Sequence, residues 1–167
     1  MLGSLVVMAL VTAEPKAGEA AEEMTKFQDK TLALQVPASW ENTVVDGTHR
    51  FTDPSGDAYL LLDVGAVQTA GMKPQVCLEK IITAMGTEEW KKLSLGKSPA
   101  ARHVDLDTTP DRTGSVQTVT YVGCDGKTTW SLVFHMDTKR KEHFEPLADK
   151  VAQSVTYAKA PPGKKGQ

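Results

Sequence analysis

The chain lacks an excess of charge of either sign. Its 167 residues contain 19 Lys and Arg against 21 Asp and Glu, which gives a formal net charge of -2. A nucleic-acid-binding domain needs a basic face that neutralises phosphates, and this balance does not provide one. The composition therefore argues against nucleic acid as a partner.

Long apolar runs are also missing. The longest covers residues 2–12, which is shorter than the ~20 residues that a membrane-spanning helix needs. Small residues follow at Val11-Thr12-Ala13, and the chain turns polar at Glu14. This pattern predicts a signal peptide over residues 1–13, although no Lys or Arg precedes the apolar run. A buried N-terminal helix or strand is the alternative, and no transmembrane segment is expected after signal removal.

Motifs for catalysis or cofactor binding are missing as well. Neither a Gly-x-Ser-x-Gly motif nor a Gly-rich phosphate loop is present. Asp105, Asp107 and Asp111 lack the Gly and the closing Glu of a calcium-binding loop. The four histidines have no metal-ligand spacing; they are His49, His103, His135 and His143. We therefore predict a non-enzymatic protein with no catalytic, metal-binding or cofactor-binding residue.

Cysteine is scarce, and Cys77 and Cys124 are the only two. In an oxidising compartment an even count suggests a disulfide, and a helix lying across the sheet would bring these residues together. Two buried thiols are the main alternative. A redox or metal pair is disfavoured, because Cys-x-x-Cys spacing and a neighbouring His are both absent.

What the sequence does contain is a series of short strands separated by turn residues. Alternating apolar residues predict a strand over residues 31–36, which Pro37 ends. The dipeptides Asp46-Gly47 and Asp125-Gly126 predict two-residue β-hairpins. The strand over residues 58–64 is apolar on both faces, so we expect it to be central and covered on both sides.

Two amphipathic helices complete the pattern. The first is predicted over residues 74–85, with Pro74 in its first turn and Gly86 at its end. The second begins near residues 142–145, with Pro146 expected in its first turn. Its apolar face consists of Phe144, Leu147, Ala148, Val151, Ala152 and Val155. Together the elements predict an α+β fold, in which two helices pack on a mainly antiparallel sheet of about six to seven strands.

The expected organisation is one folded domain over residues 27–158. We expect residues 14–26, which are rich in Ala and Glu, to form a flexible or loosely helical segment. The Pro-, Gly- and Lys-rich residues 159–167 are expected to form a disordered basic tail. We expect the chain to be a monomer.

The order of the elements resembles the PsbP/DcrB-like α/β/α sandwich over residues 27–158. The resemblance depends on a Pro-x-x-Trp corner at residues 36–40, on Phe51-Thr52-Asp53-Pro54 and on the closing helix with Val151-Ala152-Gln153-Ser154-Val155. Members of that superfamily bind other proteins and catalyse nothing. The resemblance therefore implies a protein-binding module, such as an adaptor, an assembly factor or a chaperone-like protein, and the predicted signal peptide indicates a secreted or periplasmic location.

Aromatic residues are few, and the three tryptophans are the candidate anchors for a partner: Trp40, Trp90 and Trp130. Trp90 is expected to be the most exposed, because charged residues flank it at positions 88, 89, 91 and 92. The alternative function is a small-molecule or lipid carrier. A carrier would require an apolar cavity between helix and sheet, lined by Leu60, Leu62, Ile81 and Phe134.

Overall fold

The structure is a computed structural model that describes residues 22–29, 31–86, 89–109 and 113–157. The first part of the fold, in chain order, consists of β1 (Met24–Gln28), β2 (Leu32–Pro37), β3 (Glu41–Val45), β4 (Thr48–Thr52), β5 (Ala58–Ala66) and α1 (Pro74–Met85). The second part consists of β6 (Lys91–Leu95), β7 (Ser98–Thr108), β8 (Ser115–Cys124), β9 (Thr128–Asp137), α2 (Lys141–Gln153) and β10 (Thr156–Tyr157).

The strands form two antiparallel sheets. The large sheet has seven strands in the order β3-β4-β5-β9-β8-β7-β6, and the small sheet has the order β1-β2-β10. The predicted α+β class, with two helices on a mainly antiparallel sheet, is confirmed. Neither helix in the described part of the chain is long and apolar enough to cross a membrane.

The hairpins form where the Asp-Gly dipeptides predict them. Asp46 and Gly47 have φ values of 51° and 85°, so both lie in the left-handed region that a type I′ turn requires. Between β8 and β9 the N–H of Asp125 donates to the carbonyl oxygen of Thr128, so the two-residue turn there consists of Gly126, with φ of 90°, and Lys127 rather than of Asp125 and Gly126. These local turns set the register of the strands on either side.

Helix α1 has the predicted bounds, from Pro74 in its first turn to a left-handed Gly86 at its C-terminal end. Its buried residues are Cys77 and Leu78, whereas the apolar Met85 in its last turn is 43% exposed. Helix α1 packs mainly on β7 and β8, so its last turn is less covered than its first.

Helix α2 begins earlier than predicted. A short 3₁₀ turn at Thr138–Arg140 leads into it, and Pro146 therefore lies at the sixth residue of the helix rather than in its first turn. Proline has no N–H to donate to the carbonyl of Glu142, but packing of the apolar face compensates. Each residue predicted for that face is buried: Phe144, Leu147, Ala148, Val151, Ala152 and Val155.

The large sheet separates two unequal apolar layers. One face packs under α2 and the small sheet, and its core includes Leu60, Leu132 and Phe134, each 0% exposed. The other face packs under α1 through a smaller cluster of Leu78, Ala101 and Val122. We expected β5 to be covered on both faces, but its second face is only half-buried, because α1 packs mainly on β7 and β8.

The N-terminal boundary of the folded part also differs from the prediction. Strand β1 begins at Met24, inside the segment 14–26 that was expected to be flexible or loosely helical. It pairs with β2 from Met24↔Pro37 to Gln28↔Ala33, so residues 24–26 belong to a sheet. The predicted signal peptide over residues 1–13 and the predicted tail over residues 159–167 lie outside the described residues.

Candidate functional site: the β7 edge and its surroundings

Trp90 lies just before β6, at the side of the large sheet. As predicted, it is the most exposed of the three tryptophans, although it is half-buried and packs against the cluster of Leu78, Ala101 and Val122 beneath α1. Its ring centroid is 5.3 Å from that of His103. Charged neighbours alone suggested an exposed indole, whereas packing against α1 and β7 covers part of the ring.

His103 fixes the segment that contains Trp90 to β7. Its Nδ1 lies 3.1 Å from the carbonyl oxygen of Glu89, and its Nε2 lies 2.9 Å from Oδ1 of Asp105. The contact with the Glu89 carbonyl raises the pKa of His103; burial opposes this shift, and the contact with the Asp105 carboxylate adds to it. The imidazolium form is therefore the better partner for both neighbours.

Beyond His103, β7 becomes an edge strand. Strand β6 pairs with β7 only from Ser98 to Arg102, whereas β8 pairs with it as far as Thr108. We call residues 103–108 the β7 edge. On the α2 face of the sheet, this edge presents two apolar side chains, Val104 at 39% and Leu106 at 69% exposure.

A cleft of about 560 Å³ opens beside this edge, between α2 and the strands β6 to β8. Its lining mixes apolar and charged side chains: Lys91, Leu93, Ser94, Leu95, Arg102, Tyr121, Glu145, Asp149, Ala152 and Gln153. The volume is typical of small-ligand sites. Its inner wall is polar, however, and the polar groups there are bonded to one another.

Arg102 is the centre of that polar cluster. Its Nη2 donates to Oε1 of Glu145 at 2.6 Å, and its Nε donates to the phenol oxygen of Tyr121 at 3.2 Å. The Tyr121 hydroxyl in turn donates to Asp149. These bonds connect α2 to β7 and β8, so the cluster holds the helix on the sheet.

The electrostatics of the cluster suit this structural role. Burial first, and then the hydrogen bond to Asp149, raises the pKa of Tyr121, so its phenol remains neutral. A tyrosine that acts as a base or nucleophile needs the opposite shift. Burial would raise the pKa of Glu145, but the hydrogen bond from Arg102 and neighbouring charges lower it overall, which keeps this carboxylate charged.

Gln117 is a polar residue that sequence reasoning missed. It is 2% exposed on β8, and its Nε2 has no hydrogen-bond partner of good geometry among the described residues. Its amide is nevertheless close enough to Glu145 to help lower the pKa of that carboxyl. The sequence offered no signal for this position, because a glutamine in an alternating strand predicts an exposed side chain.

The cavity that a carrier would require does not form from the four residues proposed for it. Leu60, Leu62 and Phe134 are each 0% exposed in the filled core under α2. Ile81 lies on α1, on the opposite face of the sheet. The sheet therefore separates residues that the carrier hypothesis placed around one cavity.

A disulfide joins Cys77 of α1 to Cys124 of β8, with their Cα atoms 6.1 Å apart. Both residues are buried, at 3% and 0% exposure. The bond crosses from the helix to the strand end beside Gly126. It therefore fixes α1 to the face of the sheet where the apolar contact is smallest.

The other tryptophans belong to the core. Trp40 is 6% exposed and packs near Phe134 and Phe144, whereas Trp130 is 4% exposed and donates from Nε1 to the phenol oxygen of Tyr157 at 2.8 Å. Neither can serve as an exposed anchor.

The histidines and aspartates are spread over different parts of the fold. His49 packs on Phe27, His135 stacks on Tyr59 with ring centroids 4.8 Å apart, and His143 lies 3.6 Å from Glu22. Asp105 is on the β7 edge, whereas Asp111 lies outside the described residues. Within the described residues, no three His, Cys, Asp or Glu side chains are grouped as metal ligands would be.

The comparisons with known proteins identify the fold. No family model matches the chain, and no curated protein matches its sequence. The solution structure of PsbP (CyanoP) from Synechocystis matches with a TM-score of 0.58 and 10% identity, over 87% of this chain and 98% of that one. LpqN, described as involved in cell envelope biogenesis of Mycobacterium tuberculosis, matches with a TM-score of 0.56 and 11% identity, over 83% of this chain and 92% of that one.

A third solved structure, from Bacteroides thetaiotaomicron, has a TM-score of 0.60 and 11% identity over 77% of this chain. The chain spans only 45% of that protein's length. At these identities the likeness concerns the fold alone. The predicted PsbP-like sandwich is confirmed at that level.

Proposed function

We propose that this chain, which has a PsbP-like fold, is a non-enzymatic protein-binding module that acts in a secreted or periplasmic setting. The observation that carries the proposal is the distribution of apolar surface. The apolar core residues under α2, such as Leu60 and Phe134, are fully buried, yet Val104 and Leu106 are exposed side by side on the β7 edge. Exposed apolar groups that are rimmed by polar ones are typical of protein contact surfaces.

Trp90 extends this surface around the side of the sheet. Because it is only half-buried and contacts His103, it forms a rigid aromatic platform next to the β7 edge. Aromatic residues held in this way are typical anchors at the centre of interfaces. We infer that Trp90 and Leu106 contact the same partner, which reaches around the side of the sheet because the two side chains lie on its opposite faces.

The polar cluster supports a binding role over a catalytic one. Arg102, Tyr121 and Glu145 are bonded to each other and hold α2 in place. The raised pKa of Tyr121 and the lowered pKa of Glu145 favour the protonation states that these bonds need. One fold hosts many roles, so the binding role is supported by these residues and not by the PsbP-like fold.

The disulfide between Cys77 and Cys124 supports the proposed compartment, because such bonds persist mainly in oxidising environments. LpqN, whose structure has a similar fold, is described as involved in cell envelope biogenesis, which agrees with a secreted or periplasmic location. The signal peptide over residues 1–13 and a monomeric state remain part of the proposal.

Site-specific photo-crosslinking in the native host tests the function. The photoreactive benzoylphenylalanine replaces Trp90 in one full-length variant and Val44 in a control variant. Val44 is 57% exposed on β3, at the opposite edge of the sheet. We expect a discrete protein adduct from position 90 and none from position 44.

Two outcomes would overturn the proposal. An adduct from position 44 alone would show that the contact surface lies elsewhere. Absence of a protein adduct from both positions, together with co-purified lipid or another small molecule, would show that the chain is a carrier.

A further inference from the structure

The β7 edge has backbone groups that point away from the sheet. The N–H of Thr109 donates to the carbonyl oxygen of Gly114 at 3.0 Å, so these two residues form a hydrogen-bonded pair at the end of the β7–β8 ladder. In an antiparallel ladder, hydrogen-bonded pairs occur at every second residue. The N–H and C=O of His103, Asp105 and Asp107 therefore face β8.

The backbone groups of Val104, Leu106 and Thr108 consequently face outward. The other side of β7 gives the same alternation, because Leu95 and Ser98 close the two-residue turn between β6 and β7. That closing pair directs Ser98, Ala100 and Arg102 toward β6. In the described part of the chain, no strand pairs with the outward groups beyond Arg102.

The β7 edge has apolar side chains on one face of the sheet and acidic side chains on the other. Val104 and Leu106 are on the α2 face, whereas Asp105 and Asp107 are on the α1 face, where both are exposed. Soluble proteins ordinarily protect an edge with charged side chains, especially Lys, with Pro or with a bulge. This edge has neither Lys nor Pro; it combines open backbone groups and an apolar pair with two carboxylates, of which Asp105 also contacts Nε2 of His103.

We propose that the β7 edge binds an extended segment of a partner protein by strand pairing, and that this segment alternates basic and apolar residues. Its apolar side chains lie beside Val104 and Leu106, and its Lys or Arg side chains lie beside Asp105 and Asp107. Added strands gain affinity from main-chain hydrogen bonds and specificity from alternate side chains. The inference rests on the proposed function and names the class of partner.

Charge argues against a second copy of this chain as the occupant. Two β7 edges that paired with each other would bring Asp105 and Asp107 of both copies onto one face. Like charges across strands destabilise the pairing. A cationic segment removes that repulsion and replaces it with attraction.

The opposite edge of the sheet is a poorer candidate. Strand β3 also has two exposed valines, Val44 at 57% and Val45 at 63%. They are consecutive residues, so they point to opposite faces and form no apolar pair. Their position makes β3 a matched control for the β7 edge.

A synthetic peptide tests the proposal by fluorescence anisotropy with the full-length chain. The probe is a capped, labelled decapeptide that alternates lysine and valine. The variant Leu106→Pro removes one outward N–H without removing a hydrogen bond to β8. We expect it to bind the probe about tenfold more weakly, through the lost hydrogen bond and apolar contact.

The control variant Val44→Pro removes the equivalent outward N–H from β3. Val45 and Thr48 close the Asp46-Gly47 turn, so the N–H of Val44 also points away from the sheet. We expect its affinity for the probe to stay within about twofold of the unmodified chain. Thermal unfolding of both variants verifies that each still folds.

A separate variant tests whether the carboxylates of the β7 edge are needed to bind the basic segment. Asp105→Asn combined with Asp107→Asn keeps the size of both side chains and removes both charges. We expect about tenfold weaker binding at low salt and a flatter dependence on salt concentration. A decapeptide that alternates glutamate and valine is expected to bind the unmodified chain more weakly than the lysine probe.

Three results would overturn the inference. Equal binding of the lysine probe by Leu106→Pro and the unmodified chain would exclude strand pairing at this edge. Equal binding of the glutamate and lysine probes would exclude a basic segment. A dimer in sedimentation that Leu106→Pro abolishes would identify a second copy as the occupant. Each result leaves the crosslinking test at Trp90 intact, so the proposed function can stand if this inference fails.

Discussion

Trp130 lies directly over the backbone of Gly123, its cross-strand partner on β8. A Cβ built on Gly123 would lie 2.8 Å from the indole Nε1, and closer still to Cζ2 and Cε2 of the same ring. Real Cβ atoms essentially never approach other atoms so closely. Glycine is therefore required here because the indole occupies the space of a side chain.

Gly123→Ala should destabilise the protein by about 1–3 kcal/mol, because the indole must leave its place in the core. The measurement is the free energy of unfolding from urea titration. Gly114→Ala is the control, since its nearest atom to an added Cβ is 3.6 Å away. A loss for Gly123→Ala no larger than for Gly114→Ala would contradict the packing described here.

The two buried tryptophans should respond differently to replacement by phenylalanine. The Nε1 of Trp130 donates to Tyr157, whereas the buried Nε1 of Trp40 has no hydrogen-bond partner among the described residues. Trp130→Phe loses a hydrogen bond and leaves the Tyr157 hydroxyl without its donor. Trp40→Phe loses volume but also removes an unsatisfied polar group.

We therefore expect Trp130→Phe to reduce the free energy of unfolding by about 1 kcal/mol more than Trp40→Phe. Tyr157→Phe in each background completes a double-mutant cycle. Its coupling to Trp130 should be measurable, and its coupling to Trp40 should be close to zero. Equal coupling in both cycles would contradict this account.

Local signals predicted most of the fold, because turns and helix ends depend on a few adjacent residues. Asp46-Gly47 set a hairpin, and Pro74 and Gly86 set the bounds of α1. Strand β1 was missed, because its sequence MTKFQ has one strong apolar signal, Phe27, and its pairing with β2 is a tertiary contact.

The β7 edge was harder to predict from the sequence than the fold. The alternation of Val104 and Leu106 with Asp105 and Asp107 is typical of a strand whose apolar side chains are buried. Val104 and Leu106 are exposed because β6 pairs only as far as Arg102 and α2 does not cover the end of β7. Both facts depend on where β6 and α2 lie in the fold, and the local sequence of β7 contains no information about either.

The disulfide should stabilise the attachment of α1. It closes a loop with a sequence separation of 47, and removing such a bond costs about 2–4 kcal/mol. We expect the double variant Cys77→Ala and Cys124→Ala to unfold at lower urea concentration. A free-thiol assay on unreduced, denatured protein should detect no thiol, whereas two reactive thiols would show that the bond does not form in solution.

The polar cluster predicts opposite effects of pH at the two ends of the scale. The pKa of Glu145 is lowered from its ordinary 4.5, so its contribution to stability is complete above that value and is lost as the pH falls through the folded-state pKa. The pKa of Tyr121 is raised from its ordinary 10.0, so its contribution is complete below that value and is lost as the pH rises above it.

Two variants separate these effects in urea titrations across the pH range. Glu145→Gln removes the carboxyl group, so its stability should fall less steeply in acid than that of the unmodified chain. Tyr121→Phe removes the phenol, so its stability should fall less steeply above pH 10. If Arg102 holds both groups as the structure shows, each variant changes one end of the profile and leaves the slope at the other end unchanged. Parallel profiles for all three proteins would mean that neither group changes its pKa on folding, and the cluster would then not hold α2 on the sheet electrostatically.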